Sequence, residues 1–206
     1  MKPLSTPLRK TGRPLSFDRS AALRQAMLVF WRHGYETSSI ADLTGAMGIT
    51  PPSLYAAFGD KKQLFLEAAR LYAGDPAAFA ATIDRAPSAF DAASEMLDAV
   101  ATAFTGDDTP RGCLLASATA SGSAAAEDVQ RAVADIRRAI AADLAARIAR
   151  DIADGALPAD TDTAALAGMV VALIQGMSVL ARDGASRNTL QAVAGAAMKA
   201  WPSAPE

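Results

Sequence analysis

The segment GITPPSLYAAFGDKKQLF brings together side chains that can hydrogen-bond to a nucleic acid and side chains that can make small apolar contacts. The hydroxyls of Thr50 and Ser53 can bond to base edges or phosphates, and the phenol of Tyr55 can reach a phosphate oxygen. Pro51 and Pro52 can offer apolar contact to a thymine methyl group. This combination is typical of a surface that approaches a duplex closely.

Three further groups of side chains could serve the same purpose. Lys61 starts a predicted helix, where its ammonium and the helix N-terminus together suit a phosphate. Thr37 and Ser39 precede another predicted helix and could lie near the same DNA backbone. Residues 1–16 are predicted to form a flexible basic arm that enters the adjacent minor groove through Arg9, Lys10 and Arg13.

Helical periodicity and capping signals define the elements that must position these groups. A first helix is predicted near 17–33 and a fourth at 60–73, where Leu71 is expected on the buried face. Between them, residues 39–58 form two short helices separated by a turn at Gly48. This is the helix-turn-helix arrangement.

Composition indicates an all-α protein and excludes several other classes. Much of the 51% hydrophobic content is alanine, the best helix former. The single cysteine, Cys113, rules out an intrachain disulfide, and the single histidine leaves little for a metal site or a catalytic triad. We expect no catalytic residue, no metal and no cofactor. No uninterrupted apolar run reaches about 18 residues, so a cytoplasmic protein associated with the nucleoid is expected.

The charge is distributed unevenly along the chain. Residues 1–74 carry ten Lys and Arg against five Asp and Glu, a net charge of +5. Residues 75–206 carry ten against seventeen, a net charge of −7. A basic front followed by an acidic back indicates a nucleic-acid contact on the first module.

The first third of the chain resembles the TetR family of bacterial transcriptional regulators. The resemblance rests on KTGRP in the arm, on FWRHGYETSSIADLTGAMGI, and on TPPSLYAAFGDKKQLF, and it covers about residues 12–70. It implies a homodimeric, usually repressing DNA-binding protein whose C-terminal domain dimerises and binds a small molecule. Inducer and operator would prefer different spacings of the two recognition helices, so that each weakens binding of the other.

The predicted architecture has about nine helices in two domains after the arm. Residues 17–59 form the DNA-binding domain and residues 60–206 the ligand-binding and dimerisation domain, with 74–76 marking a boundary. Helices are predicted at about 88–104, around CLLASATA, and at about 124–153, 161–183 and 186–200.

The last two predicted helices carry a smooth, apolar surface suited to dimerisation. Small residues at every fourth position permit close helix approach, and a helix that is apolar nearly all round is buried on several sides. A packed monomeric bundle is the alternative. The residues expected at the dimer interface are Gly168, Ala172, Leu173, Gly176, Leu190, Val193, Ala197 and Trp201.

A ligand pocket and a cysteine switch are the remaining hypotheses. The residues that could line a pocket, or simply pack in the core, are Met96, Leu97, Phe104, Cys113, Met169 and Met177. Cys113 lies next to Arg111 and near a helix start, which would favour a reactive thiolate in a redox- or electrophile-responsive regulator. Burial as a small core residue is the alternative for Cys113. A helical adaptor protein without DNA binding is the alternative for the whole chain.

Overall fold

The computed structural model describes residues 17–117 and 126–203 of the 206-residue chain, and within them every regular element is helical. The ten helices are α1 (Arg19–His33), α2 (Ile40–Met47), α3 (Pro51–Phe58), α4 (Lys61–Ala73), α5 (Pro76–Arg85), α6 (Ala89–Phe104), α7 (Leu114–Ser117), α8 (Glu127–Ala153), α9 (Thr163–Arg182) and α10 (Arg187–Met198). The all-α expectation is confirmed.

The predicted boundaries of the first helices largely hold. The side chain of Asp18 caps α1 by accepting hydrogen bonds from two backbone amides, so the helix begins two residues after the predicted start at 17. Thr50 and Asp60 cap α3 and α4 as their sequence signals indicated. Leu71 is a wrong prediction: its side chain is 45% exposed, on the outer face of α4.

Helix α5 is the addition to the expected set. The sequence around 74–76 marks a break, but Asp75 caps a new helix there and Pro76 occupies its first position. A proline is tolerated at that position because the missing N–H has no partner within the helix.

The N-terminal helices form one layer of the molecule and the C-terminal helices a bundle behind it. α1 packs against α2 and α4, while α9 packs against α6, α8 and α10. Both layers share one apolar core of buried residues. α4 connects them, since it contacts α1 and α3 on one side and α7 and α8 on the other.

Helix α9 is unusually apolar. Among the described residues it is the one helix with the length and composition to cross a membrane, with a mean hydropathy of 2.0 over its most apolar window. Core helices of globular proteins share these properties. Only 28% of that window is buried within the protomer, although α9 packs against three other helices. Much apolar surface on α9 is therefore uncovered.

Candidate nucleic-acid interface

An aromatic cluster anchors the helix-turn-helix. Phe65 of α4 packs edge-to-face against Phe30 of α1, with ring centroids 5.1 Å apart, and against Tyr35, at 5.2 Å. The inward residues of α3, Leu54 and Phe58, are buried in the same core. These contacts orient α3 through its inner face and leave its outer face uncovered.

The turn between α2 and α3 depends on a glycine. Gly48 has φ +66° and ψ +31°, the left-handed conformation that side chains disfavour. Its amide donates to the carbonyl groups of Gly45 and Thr44, which closes α2. The sharp change of direction follows from this residue.

Arg19 fixes the far end of α3, a role that the sequence analysis did not identify. Its guanidinium donates to both carboxylate oxygens of Glu67 at 2.8 Å and to the carbonyl oxygen of Ala57 at 3.2 Å. It also lies 4.3 Å from the ring centroid of Phe58. A charged residue just after a cap gives no sequence signal for these contacts, because the partners are 38 and 48 residues away.

The outer face of α3 is small and mostly apolar. Pro51, Pro52 and Ala56 are exposed, and Tyr55 is 50% exposed with its ring directed outward. A side with such short residues can enter a major groove about 12 Å wide. The predicted contact residues of α3 therefore share one accessible face, together with Thr50 and the half-buried Ser53.

The hydroxyls that begin α3 are already engaged with each other. Thr50 Oγ1 lies 2.9 Å from Ser53 Oγ and accepts a hydrogen bond from the Ser53 amide at 3.4 Å. Pro51 and Pro52 have no amide N–H to offer. The N-terminus of α3 is thus poor in free hydrogen-bond donors.

Lys61 is half-buried at the start of α4. Its ammonium donates to the carbonyl oxygen of Glu36 at 3.1 Å and lies 4.7 Å from the ring centroid of Tyr35. Burial lowers the pKa of Lys61, and the nearby Glu36 opposes that shift. An ammonium has three N–H donors, so Lys61 keeps donors for a phosphate while tying α4 to the turn before α2.

The two predicted hydroxyl contacts before α2 have intramolecular partners. Thr37 is exposed, and its hydroxyl donates to the carbonyl oxygen of His33. Ser39 is exposed and forms a capping box: its hydroxyl donates to Asp42 Oδ2 at 2.6 Å and accepts from the Asp42 amide at 3.1 Å. Ser38 is buried and donates to the carbonyl of Gly34. The arm residues Arg9, Lys10 and Arg13 lie outside the described residues.

The predicted dimer residues divide into two groups. Gly168, Ala172 and Gly176 are exposed on α9, and a β-carbon added at either glycine would meet nothing within 4 Å. The same face continues to Val179, which is 56% exposed, and to Leu180. This uncovered surface, from Gly168 to Leu180, is called the α9 face below.

The other predicted dimer residues are less accessible. Leu173, Val193 and Ala197 are half-buried. Leu190 is fully buried inside the protomer, so its side chain supports α10 from within and has no surface for a partner. Trp201 is half-buried and packs edge-to-face against Phe90, with ring centroids 6.1 Å apart.

The predicted pocket residues lie in or against the core. Leu97 and Met177 are fully buried, Phe104 and Cys113 nearly so, and Met96 and Met169 pack against the core from its edge. None of the six lines the cleft of about 320 Å³ between the start of α6, the end of α8 and Trp201. Their role as a ligand pocket stays a prediction.

Cys113 lies at a junction between the two layers. Its amide donates to Ser178 Oγ at 2.8 Å, and Arg182 donates to the carbonyl oxygens of Cys113 and Trp31. Burial raises the pKa of the Tyr72 phenol, and the neighbouring Cys113 adds to that rise. Arg111, predicted to activate the thiol, instead donates to the carbonyl of Ala185.

The backbone at this junction passes very close to α9. Gly112 has φ +78°, and a β-carbon there would lie 2.8 Å from the Ser178 carbonyl oxygen. The carbonyl oxygen of Gly112 accepts from the indole N–H of Trp31 at 2.9 Å. Trp31, Gly112, Ser178 and Arg182 therefore join α1 to the end of α9, and they are called the α1–α9 junction below.

Comparison with known proteins gives consistent matches over both layers. Residues 22–68 match the family described as "Bacterial regulatory proteins, tetR family". Residues 89–197 match the family described as "Tetracyclin repressor-like, C-terminal domain". The two matches together span the helix-turn-helix and the bundle that contains the α9 face.

Individual relatives extend the match over nearly the whole chain. The HTH-type transcriptional repressor ComR of Escherichia coli is 36% identical over 193 residues, which cover 93% of this chain and 92% of ComR. The HTH-type transcriptional repressor BdcR of Escherichia coli is 42% identical over 69 residues, or 34% of this chain and 35% of BdcR.

A solved structure agrees in both sequence and fold. It contains a cysteine mutant of the TetR family transcriptional regulator CifR, complexed with 26 bp double-strand operator DNA. It is 44% identical to this chain, covering 93% of this chain and 100% of the CifR chain, with a TM-score of 0.86.

Proposed function

Because this chain belongs to the TetR family of bacterial transcriptional regulators, we propose that it is a sequence-specific repressor that binds operator DNA as a homodimer and leaves it when a small-molecule inducer binds. The relative ComR is a transcriptional repressor, and the CifR structure holds operator DNA. Its place of action is the bacterial cytoplasm, on the nucleoid. Regulation of this kind involves no catalysis.

The observation that carries the proposal is the arrangement of groups around α3. Its uncovered face of Pro51, Pro52, Tyr55 and Ala56 suits a major groove. Lys61 lies at the start of the next helix, and together with the hydroxyl of Tyr55 it supplies contacts to the phosphates on either side. The basic arm of residues 1–16 adds charge for the minor groove.

Binding to two half-sites also requires two copies of α3 related by symmetry, and the α9 face supplies the surface through which two protomers can pair. Its small residues permit a partner's α9 to approach closely, and α10 extends the contact through Val193 and Ala197. A four-helix bundle from two protomers would bury this apolar surface. The dimer would then present two copies of α3 to half-sites about one DNA turn, or about 34–36 Å, apart.

Inducer release requires that the C-terminal domain, residues 60–206, communicates with the DNA-binding domain, residues 17–59. An inducer bound among the core residues around Leu97, Phe104 and Met177 would favour a different separation of the two α3 helices. Operator and inducer would then oppose each other through one coupling free energy, typically about 1–3 kcal/mol.

The proposal is tested by gel shift with DNA that flanks the gene of this protein and with duplexes selected from a random library. Binding should weaken with salt, with a slope of about −0.9 in log K against log salt for each phosphate contact. Lys61→Ala should reduce that slope by about one. Lys199→Ala, an exposed lysine beyond α10, is the matched control and should leave the slope unchanged.

One result would contradict the proposal, and a second would contradict the role given to Lys61. Failure to bind any selected duplex at low salt would favour a helical adaptor protein over a DNA-binding regulator. Equal salt slopes for the wild type and Lys61→Ala, with unchanged affinity, would remove Lys61 from the interface and leave its contacts to Glu36 and Tyr35 as its whole role.

A second candidate is release by an electrophile or oxidant that reacts with Cys113. It is favoured by the position of Cys113 at the α1–α9 junction, where a larger side chain would push apart α9 and the end of α1. The thiol is nearly buried, so modification requires local opening. Operator release after electrophile treatment should disappear in Cys113→Ser, and unchanged release would exclude this cysteine.

A further inference from the structure

The helices that would meet the base pairs, α2 and α3, contain almost none of the side chains that read bases through paired hydrogen bonds. Arg and Lys read guanine and Asn and Gln read adenine in this bidentate way, while Asp and Glu accept from cytosine. Between residues 39 and 59 the chain has Asp42 and no other residue of these six types.

Asp42 holds its carboxylate in the N-terminal cap of α2, through one oxygen, Oδ2. Its carboxylate accepts hydrogen bonds from the Ser39 hydroxyl at 2.6 Å and from the Ser39 amide at 3.0 Å. These bonds lower the pKa of Asp42, so it stays ionised. The negative charge of this cap repels DNA phosphates, and the carboxylate is the one group in this segment that could accept from cytosine.

The backbone of α3 offers little more. A helix N-terminus normally presents free amides, but Pro51 and Pro52 have none and the Ser53 amide donates to Thr50 Oγ1. The next amide, of Leu54, donates to the carbonyl oxygen of Thr50 at 3.0 Å. Hydrogen bonding from the outer face of α3 is therefore left to the hydroxyls of Thr50, Ser53 and Tyr55, and Tyr55 is assigned above to a phosphate.

The front of α3 does present a continuous apolar surface. The rings of Pro51 and Pro52 and the methyl group of Ala56 are all exposed. In the major groove the apolar group of a base pair is the C5-methyl of thymine. The surface and the groove are thus complementary through methyl contact.

We propose that this protein recognises its half-sites chiefly through thymine methyl groups packed against Pro51, Pro52 and Ala56. The inference rests on the proposed function, since it assumes that α3 enters a major groove. It deepens that function by naming the chemical feature of the partner DNA: thymines at the positions that face the start of α3, with cytosine or uracil as poor substitutes.

Replacing thymine by deoxyuridine tests this directly, because the change removes one methyl group and leaves every hydrogen-bonding group and phosphate in place. The probe is the tightest-binding duplex from random-library selection, synthesised with thymine or with uracil. Loss of one buried methyl should weaken binding about fourfold. The fully substituted duplex should lose more than tenfold, while the salt slope stays the same because the phosphate contacts remain.

Sparse substitution locates the contacts. Duplexes carrying scattered uracils are separated into bound and unbound fractions and cleaved at uracil. Interference should concentrate in two clusters whose centres are about 10 bp apart, one for each α3. Uniform interference along the duplex would contradict the inference.

The protein side of the contact is tested with Pro52→Ser, which removes the ring and keeps a residue tolerated at a helix N-terminus. In this variant, replacing thymine by uracil at one position in each cluster should reduce the binding affinity by a factor at least twofold smaller than the reduction seen with the wild type. Pro158→Ser, in the loop before α9, is the matched control and should keep the full loss. Thermal unfolding of each variant confirms that it is folded.

The outcomes separate the two proposals. Equal affinity for the thymine and uracil duplexes, with selective binding intact, would overturn the methyl readout and leave the repressor function standing. If uracil substitution weakens binding equally for Pro52→Ser and for the wild type, Pro52 is excluded as the methyl contact. That result would overturn the assignment of the readout to the first turn of α3. Failure to bind even the thymine duplex would overturn the proposed function itself.

Discussion

At the scale of single residues, Arg147 and Asp151 form the most deeply buried ion pair of the described chain. Arg147 also donates to the carbonyl oxygens of Ala86 and Pro87, and Asp151 accepts from the Ala89 amide at 2.6 Å. Burial lowers the pKa of Arg147. The pair clamps the turn between α5 and α6 onto α8, so its role is structural.

We expect Asp151→Ala to destabilise the protein by about 3–5 kcal/mol, because it leaves the Arg147 charge buried without a partner. Asp135→Ala, which breaks an exposed pair with Arg138, is the control and should cost less than about 1 kcal/mol. Denaturant unfolding measures both. Equal losses would show that the buried pair contributes no more than a surface pair.

The burial of this pair could not be predicted from the sequence. Arg147 and Asp151 have the i, i+4 spacing of an ordinary solvated pair on a helix. Their burial follows from the α5–α6 turn, which is 60 or more positions away in the chain. By contrast, the caps Thr50 and Asp60 were predictable, because a cap depends only on residues within one turn.

At the scale of elements, α2 depends on its capping box more than a long helix would. It has eight residues, and Ser39 and Asp42 supply reciprocal hydrogen bonds at its N-terminus. The hydrogen bond from the Ser39 side chain, then that from its amide, lowers the pKa of Asp42. This cap fixes where α2 begins, and Gly48 sets the turn from α2 into α3.

Ser39→Ala should therefore lower the melting temperature at pH 7, and the loss should shrink on acidification. A carboxyl group whose pKa is lowered in the folded state adds stability above its unfolded pKa, which is 3.8 for Asp42, and loses that contribution as the pH falls through the folded value. Melting curves from pH 7 to about 2.5 measure the difference.

The control for this experiment is the Asp42→Asn background. There, Ser39→Ala should change the melting temperature by an amount that does not vary with pH over the same window. A pH-dependent difference that persists without the Asp42 carboxyl would assign the effect to another group.

Sequence patterns predicted most elements and missed α5 for a specific reason. Asp75 and Pro76 form a strong start signal, but they follow Gly74, which ends α4, and the three residues together resemble a domain boundary. A helix-stop signal followed at once by a helix-start signal fits either a loop between domains or a new helix. The burial of Ile83, which shows that a helix packs here, is not visible in the sequence. Leu71 shares the helical spacing of the buried Leu64 and Ala68, and its exposure depends on where other helices end against α4, which no local pattern encodes.

At the scale of the whole molecule, two sets of polar contacts add to the apolar core that the N-terminal helices share with the bundle. Lys62 of α4 donates to Asp128 of α8 at 2.8 Å, and this exposed pair contributes little by itself. The α1–α9 junction is the tighter one, since it combines buried hydrogen bonds with the close backbone approach at Gly112. We therefore expect a movement of α9 to be passed to α1 through these contacts.

Gly112→Ala tests this junction, and Gly155→Ala is its matched control. Both glycines have a positive φ, +78° and +75°, but a β-carbon at Gly155 would meet nothing within 4 Å. The conformational strain should cost each variant about 1 kcal/mol. Gly112→Ala should lose about 1–3 kcal/mol more through overpacking against Ser178, and it should also change operator affinity. Equal losses in denaturant unfolding would show that the close approach is unimportant.

The α9 face makes a prediction about assembly. Gly176→Arg should convert the proposed dimer to a monomer, because a long charged side chain would separate the two bundles. Ala146→Arg, on the exposed side of α8, should remain dimeric. Light scattering after size-exclusion chromatography distinguishes the two. A dimeric Gly176→Arg would place the interface elsewhere.

The junction and the α9 face differ in how far the sequence could predict them. The repeat of Gly168, Ala172 and Gly176 is visible as a periodic pattern. The contact of Gly112 with Ser178 joins segments 66 positions apart, and no local pattern encodes it. Leu190 had the right periodicity for the interface, but its burial inside the protomer depends on the packing of α10 against α6.

The paired prolines at the start of α3 also act on the unfolded chain. A proline ring holds φ near −65° before any helix exists, so the unfolded ensemble at Pro51 and Pro52 is already narrow. The first turn of α3 loses little conformational entropy on folding, and it has little further ordering to undergo on docking. Under the proposed function, this segment already has its bound conformation before it meets DNA. Its association is then governed by diffusion and electrostatic attraction, without a preceding local folding step.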